Sequence, residues 1–197
     1  IIALIIWKLA SEFSGINAYI LPDPVTVYHT TISLIESGEL VQNIWISMTR
    51  IFWGYSLAIA ISALLTLMIC SNKILRSLVE PPLNFLRQIP PLALLPLLLA
   101  WLGIGEEQKI TVIILGCLFP ILFNFIGGFE QVDKKLIEVA RVLGFSKQKI
   151  IMSIVIPSAI PSILIGLRVG LGFSWRSLVG AELIASSSGL GYMMVDA

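Results

Sequence analysis

Long apolar passages alternate with short polar ones along this chain. A helix needs about twenty mostly apolar residues to cross a bilayer, and windows of that size pick out five passages. The first, 1–11, opens with the ten-residue run IIALIIWKLA, half a span, and is read as a helix that has lost its start. The second, 44–70, is long enough to cross with some tilt. The third, 74–102, holds Pro81, Pro82, Pro90, Pro91 and Pro96 and is expected to break, its first half lying oblique or partly interfacial. The fourth, 110–127, contains Pro120, and the fifth, 150–173, contains Pro157 and Pro161. Prolines are tolerated inside spans where neighbouring groups re-satisfy the freed carbonyls, so these helices are expected to pack within a larger assembly. The stretch 174–189, SWRSLVGAELIASSSG, is too polar for a clean span. It predicts either a re-entrant, gate-forming turn lined by Trp175 and Leu178 or a loop whose Trp anchors at headgroup level. A partial last helix follows at 190–197.

Composition agrees with this pattern. Hydrophobic residues make up 57% of the 197 and charged residues 13%, about half the charged share of a soluble domain, and the mean hydropathy is +0.94. The class is an all-α polytopic membrane bundle, read as a single transmembrane domain over 1–197. Thirteen Lys and Arg against twelve Asp and Glu leave a formal charge of +1, with no basic arm for nucleic acid. Their distribution orients the chain, because positive loops stay cytoplasmic. Residues 11–43 carry Glu12, Asp23, Glu36 and Glu39 and no Lys or Arg, whereas 128–149 carries Lys134, Lys135, Arg141, Lys147 and Lys149. The basic loop 71–76 falls on the same inner face as 128–149, and 103–109, acidic apart from Lys109, falls outside with 11–43 and 174–189. Cys70 and Cys117 sit in apolar runs as small hydrophobes; neither a disulfide nor a metal site is expected.

The inner segment 128–149 carries the most information. It predicts a short amphipathic helix from Asp133 to Leu143, with Asp133 as N-cap, Gly144 as the left-handed C-terminal residue, and Leu136, Val139, Ala140 and Leu143 on one face. Ser146 then caps a second helix leading into the fifth span. A helix-break-helix with an apolar stripe and a charged flank suits docking to a partner; an ordinary loop lying on lipid headgroups is the alternative.

Residues 138–157, EVARVLGFSKQKIIMSIVIP, resemble the EAA loop of the permease subunits of bacterial ABC importers, with Glu138, Ala140, Gly144, Ile154 and Pro157 in register. Val139 stands for the middle alanine and Ile156 for leucine, both conservative changes. The stretches 21–30, 47–50, 85–110, 119–120 and 165–194 are similar to the branch of that family serving nitrate, taurine, aliphatic sulfonates and related small solutes. The resemblance implies a type I importer transmembrane domain. It also implies a homodimer lining the pathway, a coupling helix built from Glu138, Val139, Ala140 and Gly144, separate ATPase subunits below and a periplasmic or lipid-anchored binding protein above. The chain has no G-x-x-x-x-G-K-[ST] phosphate loop, so ATP and Mg are expected on the partner and no cofactor on this chain.

Charge inside spans is costly, about 2.5–3.5 kcal/mol at mid-bilayer on insertion scales, which singles out Arg50, Arg168, Arg176 and Glu182. Two roles stay open. The arginines face a pathway and attract an anion, with Trp175 nearby; or Arg50 snorkels to headgroups while Arg168 or Arg176 pairs with Glu182 as a strut. Glu106 and Glu107 either meet a basic patch on the binding protein or are merely solvated, and His29, without partners, is assigned no chemistry. A secondary transporter or channel, the rival class, calls for a coupling-ion site or filter and usually inverted repeats, and no internal repeat is found. An enzyme calls for a nucleophile, base or metal cluster, which one His and two isolated Cys do not supply.

Overall fold

The structure, a computed structural model, describes residues 2–13 and 20–196, and every element in it is helical. Residue 1, residues 14–19 and residue 197, parts of the expected first span, outer segment and last helix, lie outside the described residues. Internal packing divides the chain into two compact units, Ile1–Trp45 and Ile46–Ala197. The first holds α1 (Ile2–Phe13) and α2 (Pro24–Glu36). Asp23 caps α2 by accepting from the Val25 N–H at 3.2 Å, and Pro24 occupies the first turn, where a missing N–H costs nothing. The Trp7 indole N–H donates to the Pro22 carbonyl at 3.1 Å. His29 is exposed, and its ring meets that of Tyr28 edge-on.

The second unit carries the bundle. Helix α3 (Glu39–Ser71) enters it from the first unit and is followed by α4 (Lys73–Leu86), a 3-10 turn (Pro91–Leu94), α5 (Leu95–Leu102) and α6 (Glu106–Glu130). Then come α7 (Lys134–Val142), α8 (Lys147–Ile150), a wide π turn (Ile151–Val155), α9 (Ile156–Ala185) and α10 (Leu190–Asp196). Among the described residues three helices are long and apolar enough to cross a membrane: α3, α6 and the continuous Lys147–Ala185 rod of 39 residues. The pair Ile74–Leu86 and Pro91–Leu102, bent at 83°, is apolar and long enough for a fourth crossing when taken as one broken span.

The prolines act differently at each site. Pro81 and Pro82 stay within α4, and the expected break falls further on, where Pro90 is extended (φ −62, ψ 126). A residue preceding proline is driven out of the helical region, and Pro90 precedes Pro91. In the last span the wide turn at Ile151–Val155 comes immediately before Pro157. The ladder shifts register there to accommodate a residue without an N–H.

Helix α3 is inverted relative to a soluble helix. Ser47, Arg50, Gly54, Ala58, Ser62, Thr66 and Ile69, three or four positions apart, are buried, while Trp45, Phe52, Trp53 and Leu64 face out. Small and polar groups turned inward, with large apolar groups outward, are what a lipid solvent selects. Ile51, Ala58, Ile113, Cys117, Ile121, Phe125 and Leu178 form the main core. Helices α6 and α9 pack closely along their length, with Gly116 opposite Ser177, Ile121 opposite Gly170 and Asn124 opposite Gly166. A Cβ at Gly170 would stand 2.5 Å from Ile121 Cγ1, so the approach of these two backbones depends on its absence.

The expected turn at 174–189 is helix as far as Ala185. Its polar residues misled the sequence reading because they point into protein: Ser174 Oγ donates to the Leu171 carbonyl at 2.7 Å, Ser177 faces Gly116, and Glu182 is fully buried. Leu178 belongs to the core rather than to a gate, and Trp175 is exposed on the outer flank of α9.

Candidate functional site

Two regions carry the unusual chemistry, at opposite ends of α6. At its N-terminal end a charged knot joins α3, α6, α9 and the turn into α10. Arg50 retains only 2% exposure and Glu182 none. Arg50 Nε and Nη2 donate to Glu106 Oε2 and Oε1 at 2.6 and 2.5 Å, a two-pronged grip, and Nη1 donates to Glu182 Oε1 at 2.8 Å. The Ser188 carbonyl accepts from the same Nη1 at 2.8 Å, and Ser188 Oγ from Nη2 at 3.2 Å. Ser47 Oγ lies 2.8 and 3.0 Å from the two Glu182 oxygens and accepts from the Leu190 N–H at 2.9 Å. The Gly191 N–H donates to Glu182 Oε2 at 2.8 Å, and Lys109 Nζ lies 3.2 Å from Glu106 Oε1. Two cations face two carboxylates, so the knot is neutral as a unit.

The knot corrects the pairing expected from sequence. Arg50 does not snorkel to headgroups; it is the partner of Glu182, and neither Arg168 nor Arg176 pairs with that carboxylate. Both of those arginines lie exposed on α9, Arg176 with its guanidinium 5.5 Å from the Phe173 ring centre. Glu106 is a bridging member of the knot with 56% side-chain exposure, so it is not a merely solvated loop residue. Ser47, Lys109 and Ser188 were missed. For Ser47 a signal existed, since it lies one turn before Arg50 on the same inward face.

At the other end of α6 stands the helix-break-helix. Asp133 Oδ1 accepts from the Lys135 N–H at 2.9 Å to start α7. The helix stops in a Schellman motif: the Gly144 N–H donates to the Arg141 carbonyl and the Phe145 N–H to the Ala140 carbonyl, both at 3.0 Å. Gly144 has φ +76, a conformation that costs an L-residue about 1–2 kcal/mol. Ser146 Oγ accepts from the Lys149 N–H at 3.3 Å to start α8.

Only a narrow side of α7 is turned inward. Ala140 is buried at 3% and Ile137 half-buried, whereas Leu136, Val139, Val142 and Leu143 are exposed, Val142 at 89%. The apolar stripe is therefore presented outward beside exposed Glu138 and Arg141. Ile154 and Pro157, in register with the loop motif, lie beyond it, in the wide turn and the first turn of α9.

Spanning helices that bury small and polar groups, an internal charge knot and an exposed amphipathic helix between two crossings define a multi-pass helical membrane protein. The chain belongs to the binding-protein-dependent transport system inner membrane component family, whose model matches residues 51–197. It is therefore an inner-membrane transport protein. It is 40% identical over its whole length to the Bacillus subtilis protein named as an aliphatic sulfonates transport permease, SsuC, covering 71% of that relative. It is 35% identical to the nitrate import permease protein NrtB of Synechocystis and 32% identical to the taurine transport system permease protein TauC of Escherichia coli. Both alignments take in all of this chain, and they cover 74% and 73% of those relatives.

Proposed function

We propose that this chain is the pathway-forming subunit of an ATP-driven importer for a small sulfonate, taurine, nitrate or a similar solute. In this reading two copies enclose the pathway in the lipid bilayer, a binding protein delivers the solute, and a separate ATPase, which holds ATP and Mg, docks on α7. The observation that carries the reading is the left-handed stop at Gly144 between the exposed stripe of α7 and a rod that is continuous from Lys147 to Ala185. A push on Leu136, Val139 and Leu143 enters a helix about 58 Å long at 1.5 Å per residue, whose far end holds Glu182 and its knot. Docking at one face of the membrane is thereby linked mechanically to the charged cluster near the other. Glu138 supplies a polar anchor on the docking helix, Val139 and Ala140 its apolar body, and Gly144 the sharp break; Ile154 and Pro157 shape the start of the rod.

The test uses the reconstituted importer. Gly144→Val is expected to abolish the response of ATP hydrolysis to loaded binding protein, because a β-branched residue does not settle at φ +76. Gly144→Asn, which tolerates that conformation, is expected to retain most of the response. Full response in Gly144→Val, or solute flux by this chain without ATP, would overturn the proposal.

A further inference from the structure

Three arginines of the bundle have no counter-charge. Arg87 closes α4 at the bend, and Arg168 and Arg176 stand eight positions, about two turns, apart on α9. Among the described residues none of them forms an ion pair, whereas Arg50 and Arg76 each hold two carboxylates. Their depth can be measured against α6. The Arg87 guanidinium lies 4.6 Å from the Phe123 ring centre, Gly170 near Arg168 faces Ile121, and Ser177 next to Arg176 faces Gly116. Levels 116 to 123 span about 10 Å in the middle of a helix that runs Glu106–Glu130. Uncompensated guanidinium groups at that depth face a protein interior or a water-filled cavity, because lipid does not accommodate them.

The three line two neighbouring recesses. Arg87 lines a cleft of about 380 Å³ walled by Phe119, Phe123 and Phe173, and the recess that holds Arg168 and Arg176 shares the wall residues Val169 and Phe173 with it. Cationic groups on one side and aromatic faces on the other match an oxoanion that carries a short carbon chain. We propose that these two recesses form a transit site for a small alkanesulfonate inside the permease, their arginines receiving the sulfonate oxygens in turn and their phenylalanines the alkyl group. The inference rests on the permease reading above. It assigns solute recognition to the membrane subunit as well as to the binding protein.

The test is arginine modification of the complete importer in lipid nanodiscs. Phenylglyoxal, a neutral reagent for guanidinium groups, is applied and modified residues are mapped by mass spectrometry. Arg87, Arg168 and Arg176 are expected to react and Arg50, held by two carboxylates, to be spared. Butanesulfonate is expected to slow modification of the three at least fivefold, while dipropyl sulfone and chloride at equal ionic strength do not. Unreactive arginines, equal protection by the neutral sulfone, or protection by chloride or nitrate without protection by butanesulfonate would each overturn the site. Arg168→Gln is further expected to lower butanesulfonate uptake at least tenfold, with partial rescue in Arg168→Lys. Unchanged uptake in Arg168→Gln would refute a transit role. Failure of loaded binding protein to stimulate ATP hydrolysis in the unaltered importer would instead refute the permease reading.

Discussion

Removing either member of the buried pair should not cost the same. Arg50→Met leaves Glu182, with no exposure, without its cationic partner, while the Ser47 hydroxyl and the Gly191 N–H remain. Breaking a buried pair from one side strands a charge, at about 3–5 kcal/mol. Glu182→Gln strands less. Arg50 keeps its two-pronged grip on Glu106 and its bonds to Ser188, and the loss is that of a carboxylate whose donors, Arg50 Nη1, Ser47 Oγ and the Gly191 N–H, must adapt to an amide, about 1–3 kcal/mol. In Arg50→Met/Glu182→Gln no charge is stranded between the two positions, so the second substitution removes the penalty left by the first. The double variant should therefore lose less than Arg50→Met alone, with a positive coupling of about 1–3 kcal/mol. The assay is reversible unfolding of the purified permease in mixed dodecyl maltoside and SDS micelles, read as a double-mutant cycle. Equal losses for the two single variants, or a double variant that loses their sum, would refute the account of the knot as one coupled unit.

Other outcomes follow from single contacts. Gly189 has φ +111 and its missing Cβ would stand 2.5 Å from the Glu182 carboxyl carbon, whereas Gly38 has φ +77 and open space. Gly189→Ala is expected to destabilise by at least about 2 kcal/mol more than Gly38→Ala, which meets no neighbour and carries only the left-handed backbone cost of an L-residue, about 1–2 kcal/mol; equal melting temperatures would contradict this. Gln108 is fully buried and, among the described residues, neither of its amide atoms has a hydrogen-bond partner. Gln108→Leu, of similar size, should raise stability by about 1–3 kcal/mol, the cost of an unsatisfied buried amide, and a fall in the same micelle titration would show that the amide is used.

Much of the architecture was legible because a bilayer reduces the problem to length and hydropathy. The 44–70 and 110–127 passages lie within α3 and α6, and the proline-rich 74–102 passage is bent. The break at Gly144 was legible too, since a capped amphipathic run ending in glycine is a local signal that needs no tertiary contact. Less legible was which face of α7 is buried. A nine-residue helix offers apolar groups on more than one side, and Ile137 and Ala140 turn inward while Leu136 and Val139 turn out.

By itself the sequence determined the membrane class, the helical periods and the kinked element between the last two long crossings, because each depends on residues within a few turns of one another. Tertiary structure alone decided that Glu182 belongs to Arg50, 132 positions away, and that 174–185 continues α9 as helix. A polar residue in a span shows by its period that it faces inward, but its partner sits on another helix whose rotation and depth are set by packing such as that of Gly116, Gly166 and Gly170 against the facing helix. The same packing separates Arg50, held by two carboxylates, from Arg168 and Arg176, which form no ion pair among the described residues, a difference that composition and spacing do not carry.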